Sequence, residues 1–171
     1  FTTTYCRVAI PRDLGAEAAA TAILGQVLQQ ATAKHPTREA FAHRLADLYG
    51  ASLDVSAEKL GDRQVLAASL EWPTAHVPRA AKNLREGLTL LREVISEPKR
   101  GADGVALDAE IVRVEQANHL RAIRALRDDK ARYAARRAVE LAFRDDPYGL
   151  DVDGREEDVP LRGPELGAAP G

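Results

Sequence analysis

The spacing of apolar and polar positions changes several times along the chain, and each change predicts a new element. Residues 2–11 alternate between apolar and polar positions, which indicates a β-strand. Residues 16–31 carry apolar side chains at three- and four-residue spacing, which predicts a helix that ends before Pro36. A second helix is predicted to begin after Thr37, which is a suitable N-cap, and to end before Gly50.

The middle of the chain predicts a hairpin followed by three more helices. Residues 52–59 and 63–72 alternate around a Gly-Asp turn, which favours two antiparallel strands. A helix is predicted over residues 78–96, and a long helical region over residues 107–143 is predicted to divide at residues 127–129. In the third helix, the side chains expected to face the core are Leu84, Leu88, Leu91 and Ile95. The order of elements predicts an α+β fold, with an antiparallel sheet covered by helices.

The end of the chain differs in composition from the rest. An Asp-Pro-Tyr-Gly turn occupies residues 146–149, and the residues after it are rich in Gly, Pro and acidic side chains. We therefore expect one domain over residues 1–149 and an extended or disordered tail over residues 150–171. The absence of Met and the start at Phe1 lead us to expect a fragment of a longer chain.

Composition excludes several classes of function. The formal net charge of the 171 residues is −2, which gives no overall attraction to nucleic acid or to an anionic membrane. No apolar run approaches the roughly 18 residues that a membrane-spanning helix needs. Cys6 is the single cysteine, so no internal disulfide can form, and we expect an inert, buried thiol in a reducing, cytoplasmic setting.

Candidate catalytic residues are few. The four histidines are His35, His43, His76 and His119, and no two of them have the spacing of a zinc-peptidase helix. Glu39, His43 and Asp47 share one face of the second helix, where they could bind a metal. The favoured interpretation of this stripe is a solvated face. The carboxylate pair Glu156 and Glu157 falls in the predicted tail, and we find no credible acid–base pair.

Residues 113–144 are basic, with nine Lys or Arg against four Asp or Glu. Such a segment could bind nucleic acid or the acidic surface of a protein partner. The favoured interpretation is a pair of amphipathic helices with solvated arginines, because only two aromatic side chains and no known reading-helix motif accompany the charge.

Three strings in the right order carry a resemblance to a known family. They are Thr-Ala-Lys-His-Pro-Thr at residues 32–37, Leu-Tyr-Gly-Ala-Ser-Leu at residues 48–53 and Asp-Pro-Tyr-Gly at residues 146–149. Over residues 1–149 the chain resembles the N-terminal half-domain of the M16 (pitrilysin- and insulinase-like) zinc metallopeptidases. The resemblance implies the same α+β half-domain.

The resemblance also implies where a zinc site would lie. Family members carry H-x-x-E-H on the first helix and a distal glutamate on a later helix. The two histidine positions fall on Ala22 and Gln26, the glutamate position on Gly25, and the distal position near Ala122. Alanine and glycine side chains offer no ligand atom, and a glutamine amide is a poor donor for zinc. We therefore expect no catalytic residue, no metal and no cofactor in this chain.

The function that the resemblance implies is that of a non-catalytic M16-like subunit. It would pair with a catalytic M16 peptidase, or self-associate, and help to bind or enclose peptide substrate, with zinc present only in the catalytic partner. A first alternative is a zinc-dependent endopeptidase whose catalytic residues lie outside this sequence. A second alternative is a basic-helix module that binds nucleic acid.

Overall fold

The sheet is formed by three antiparallel strands. A computed structural model describes residues 3–74 and 80–159, and the structural statements below refer to these residues. The strands are β1 (Thr3–Asp13), β2 (Ser52–Leu60) and β3 (Arg63–Pro73), in the order β1-β3-β2. β2 and β3 form the predicted hairpin, and β1 pairs with β3 along its whole length.

Helices make up most of the remaining described chain. The α-helices are α1 (Ala18–Leu28), α2 (Arg38–Asp47), α3 (Ala80–Ser96), α4 (Ala109–Ala125) and α5 (Lys130–Ala142). Two short 3-10 helices follow, at Pro147–Gly149 and Glu156–Asp158. The predicted α+β class is confirmed. No helix in this part of the chain combines the length and apolar character needed to cross a bilayer.

Polar side chains cap the helices where the sequence predicts breaks. The Thr37 side chain accepts a hydrogen bond from the backbone N–H of Ala40 at 3.1 Å, which fixes the start of α2. Asp129 accepts one from the backbone N–H of Arg132 at 3.1 Å and starts α5. The predicted division of the long helical region at residues 127–129 is therefore confirmed.

The main core lies between the sheet and helices α1 and α3. Its fully buried members come from the inner positions of the hairpin and the helix faces above it, and they include Val55, Leu70, Trp72, Leu90 and Val94. A second cluster joins α1 to α4 through Ile23, Val27 and Val112. α1 therefore contributes to both clusters and lies at the centre of the domain.

The buried face of α3 differs from the predicted one. Leu91 is buried as expected, but Leu84 and Leu88 are 41% and 46% exposed. The cause is the contact of Gly87 with Trp72, since a Cβ atom at Gly87 would lie 2.3 Å from the indole ring. This close approach turns the leucines at positions 84 and 88 outward.

The predicted domain boundary at Gly149 does not coincide with the end of the packed structure. Residues 150–159, called the strap below, pack against α1 and α4 instead of forming a loose tail. Val159 is 3% exposed, and Gly154 lies so close to Ala19 that a Cβ atom would be 2.7 Å from that side chain. The positive φ of Gly154, 71°, also favours glycine. The rest of the predicted tail lies outside the described residues.

Candidate functional site: the position between α1 and α4

The three positions at which the family carries its zinc motif lie on α1 where it faces β2 and α4. Ala22 is 4% exposed, and Gly25 is buried. A Cβ atom at Gly25 would lie 3.0 Å from the carbonyl oxygen of Val55 on β2. The small residues therefore allow α1 to lie directly on the edge strand. The half-buried Gln26 is the one member of the three with a polar side chain.

Gln26 contacts a histidine that comes 93 residues later in the chain. Its Nε2 lies 3.1 Å from Nδ1 of His119 on α4. Nε2 of His119 lies 2.8 Å from the backbone carbonyl oxygen of Asp153 in the strap. A carbonyl only accepts, so Nε2 carries the hydrogen of the neutral ring and Nδ1 accepts from the Gln26 amide. Gln26 Oε1 is then left buried without a partner.

The structure brings His119 against α1, while Ala122, near which the sequence places the distal position, is exposed on α4. His119 is only 2% exposed. The burial of His119 against α1 was not predicted from the sequence, although the spacing of buried residues on α4 indicates it. Val112, Glu115 and His119 recur at three- and four-residue spacing, which is the pattern of one buried helix face.

Glu115 is a second buried polar group on the same face of α4. It is 4% exposed, and its carboxylate accepts hydrogen bonds from Arg38 on α2 and Asn118, both at 2.9 Å. A buried carboxylate is tolerated when a cation and further donors compensate for its lost hydration. Glu115 thus ties α2 to α4 and is engaged on both oxygens.

These residues do not fit a zinc ion. Catalytic zinc needs three protein ligands with free lone pairs. Both ring nitrogens of His119 and both oxygens of Glu115 already have partners, and Ala22 and Gly25 supply no donor atom. Across the two described ranges, no group of three or more His, Cys, Asp or Glu side chains is arranged to hold a metal.

The other residues singled out by sequence do not converge on this site. Glu39 and His43 lie 3.8 Å apart on α2 with side chains 86% and 76% exposed, and Asp47 is exposed, which is the solvated face that the sequence favours. His35, in the loop between α1 and α2, lies 3.8 Å from Glu93 on α3. His76 lies outside the described residues. Cys6 is half-buried and packs against the main core.

Many cations of the basic segment are paired within the chain. Arg124 and Arg127 both bind Glu156 of the strap, at 2.8 and 3.2 Å. Arg136 lies 3.2 Å from Asp151 and 3.1 Å from Glu140. Acidic side chains of the strap therefore pair with three of the nine cations of residues 113–144. Glu156, which the sequence placed in a loose tail, is one of its main anchors.

Comparisons with known proteins identify a curated relative of this chain and solved structures of similar fold. No family model matches the sequence. The chain is 33% identical over 139 residues to a curated Bacillus subtilis (strain 168) protein, the probable inactive metalloprotease YmfF. The match covers 81% of this chain and 32% of that protein.

Two solved structures share the fold. A conserved protein from Enterococcus faecalis V583 superposes with a TM-score of 0.84 at 22% identity, over 93% of this chain and 37% of its own. A peptidase M16 inactive domain from Pseudomonas fluorescens gives a TM-score of 0.63 at 17% identity, over 95% and 36%. At these identities the two structures establish the fold alone.

The chain has the α+β fold of a peptidase M16 inactive domain. Together with the Bacillus relative, this fold identifies the chain as M16-like and similar to members described as inactive. The chain spans about a third of the length of the proteins it matches.

Proposed function

We propose that this chain is part of a non-catalytic M16-like subunit that pairs with a catalytic zinc peptidase and helps to bind or enclose its peptide substrate. The observation that carries the proposal is the α1–α4 position itself. Two of the three motif positions lack a ligand atom, and the third, Gln26, is engaged by His119. Because two of these positions supply no zinc ligand, we expect no zinc-activated water at this site.

Exposed apolar side chains support a role in association. β1 has no strand on its outer edge within the described residues, and Tyr5, Val8 and Ile10 on it are 60%, 37% and 40% exposed. α5 has no buried residue, although its sequence is amphipathic. Apolar positions of this kind commonly mark surfaces that other protein segments cover.

Co-expression with a candidate partner tests the proposal. The full-length protein should co-purify with an M16 protein that contains H-x-x-E-H, and peptidase activity should be higher in the mixture than in the partner alone. The activity should disappear when a chelator removes the partner's zinc. Equal activity of the partner alone, over a panel of peptides, would contradict the pairing.

The same assay addresses the first alternative. Peptidase activity of the full-length protein without any partner, abolished by a chelator, would identify a self-sufficient enzyme with catalytic residues outside this sequence. Metal analysis of the purified protein is an independent test. We expect it to find no zinc bound at the α1–α4 position.

A further inference from the structure

The strap is held through its backbone and not only through its side chains. Three successive strap carbonyls accept hydrogen bonds from Gln64 on β3, His119 on α4 and Arg136 on α5, at 2.7, 2.8 and 2.8 Å. Lys59 on β2 donates to a fourth, at Leu150, at 2.9 Å. Side chains from four different elements therefore converge on one short segment.

This segment lies beside the face of α1 that carries the positions of the family's zinc motif. Gly154 packs on Ala19 at one end, and His119, which donates to the strap, contacts Gln26 at the other. Ala19, Ala22 and Gln26 recur at three- and four-residue spacing and so share one face of the helix. Ala22, where the family has a zinc-binding histidine, lies between the two contacts and is buried.

We propose that Gln26 and His119 form a clasp that fastens the strap across α1, so that the former zinc position is closed by the chain itself. In this arrangement hydrogen bonds connect α1 to α4, where family members would use a metal. Gln26 is a positioning residue, because its amide donates to Nδ1 and keeps the hydrogen of the ring on Nε2, which faces the Asp153 carbonyl. The proposal concerns this chain alone and does not depend on any partner.

Hydrogen exchange of the intact chain measures the fastening directly. His119→Leu keeps the apolar bulk of the ring but removes both hydrogen bonds, so the strap amides should exchange on the order of tenfold faster, as expected for a lost hydrogen bond. The matched control is Val94→Ala, which weakens the main core and leaves the cluster that contains the strap residue Val159 unchanged. An equal effect of both variants on the strap would overturn the proposal.

Variants at Gln26 separate positioning from simple packing. Gln26→Leu leaves the His119–strap hydrogen bond possible but removes the group that orients the ring, so strap exchange should still accelerate. At a pH where the ring of Gln26→Glu carries hydrogens on both nitrogens, the carboxylate accepts from Nδ1–H while Nε2–H still faces Asp153, so protection should return towards that of the parent chain. Identical exchange rates of the strap amides in Gln26→Leu, Gln26→Glu and the parent chain would show that Gln26 does not position the ring.

The unmodified chain provides a test that needs no variant to fold. The ¹⁵N chemical shifts of His119 should identify a neutral ring with its hydrogen on Nε2 at pH values where it is uncharged. A ring with its hydrogen on Nδ1 would contradict the clasp. The ¹⁵N measurement involves neither peptidase activity nor a partner. A result against the clasp would therefore not contradict the proposed pairing, and a result against the pairing would not contradict the clasp.

Discussion

Single small residues set how closely the helices approach the sheet. Gly25 lets α1 lie on the backbone of β2, and Gly87 lets α3 lie on the ring of Trp72, which is fully buried. Neither glycine has a positive φ, so the reason for each is space and not backbone conformation. Any side chain at either position must move its neighbour.

Substituting Gly87 tests this directly. Gly87→Ala should lower the free energy of unfolding by about 1–3 kcal/mol, the usual effect of overpacking a core, although alanine favours helix over glycine. Urea unfolding followed by the fluorescence of Trp72 measures the change. Gly15→Ala is the control, because a Cβ atom there meets nothing within 4 Å, and its stability should stay within about 0.5 kcal/mol of the parent chain.

The start of α4 depends on one aspartate. Asp108 accepts hydrogen bonds from the backbone N–H groups of Glu110 and Ile111, both at 3.1 Å, and pairs with Lys99 at 3.0 Å. The hydrogen bond from Lys99 is the largest cause that lowers the pKa of Asp108, and the bond from the Ile111 N–H adds to it. α4 carries both His119 and Glu115, so this cap supports the whole α1–α4 position.

Removing the cap should therefore have a pH-dependent effect. The native pKa of Asp108 is lowered, so its ionised form contributes stability above the unfolded pKa of about 4, and this contribution is lost as the pH falls through the native value. Asp108→Ala should cost about 1 kcal/mol at pH 7, whereas Asp108→Asn keeps a capping oxygen and should cost less. Urea unfolding at pH 7 and pH 3 measures the free energy of unfolding of both variants. If Asp108→Asn were less stable than the parent chain by the same amount at both pH values, the ionic contribution of Asp108 would be ruled out.

α1 also decides whether the zinc site can be restored. The combined change Ala22→His, Gly25→Glu and Gln26→His supplies the family motif, but we expect neither stoichiometric zinc nor parental stability. Position 22 is buried, and a Cβ atom at position 25 would lie 3.0 Å from the Val55 carbonyl oxygen. Metal analysis and thermal unfolding measure the two outcomes, and one bound zinc per chain with unchanged stability would refute the expectation.

At the scale of the whole molecule, charge is balanced within the fold. The net charge is −2, and the basic helices α4 and α5 face an acidic strap that pairs with Arg124, Arg127 and Arg136. A protein that binds nucleic acid needs cations available to phosphates. Five of the nine cations of residues 113–144 have a carboxylate partner among the described residues, which reduces the positive charge available for that purpose.

We therefore expect no salt-dependent retention on DNA or RNA. A column run at low ionic strength should pass the purified chain in the flow-through, because arginines already paired with carboxylates release fewer counterions on binding and the net charge is −2. Retention at 50 mM salt that disappears by about 200 mM would restore the basic-helix module as an alternative function.

The sequence by itself determined the local features of this protein. Alternation gave the strands, three- and four-residue spacing gave the helices, and Thr37 and residues 127–129 marked element ends, because each of these signals acts between neighbours in the chain. The lack of ligand atoms at Ala22 and Gly25 is likewise a property of the residues themselves. That the chain binds no zinc stays a prediction.

Tertiary structure decided the features that join distant segments. The outward turn of Leu84 follows from the contact between Gly87 and Trp72, which no helical period encodes. Gln26 and His119 are 93 residues apart, and their hydrogen bond exists because two helices pack side by side. The composition of the strap predicts a loose acidic tail. Its packing depends on distant partners: donors from β2, β3, α4 and α5 to its carbonyl groups, the ion pairs of Glu156 and the burial of Val159.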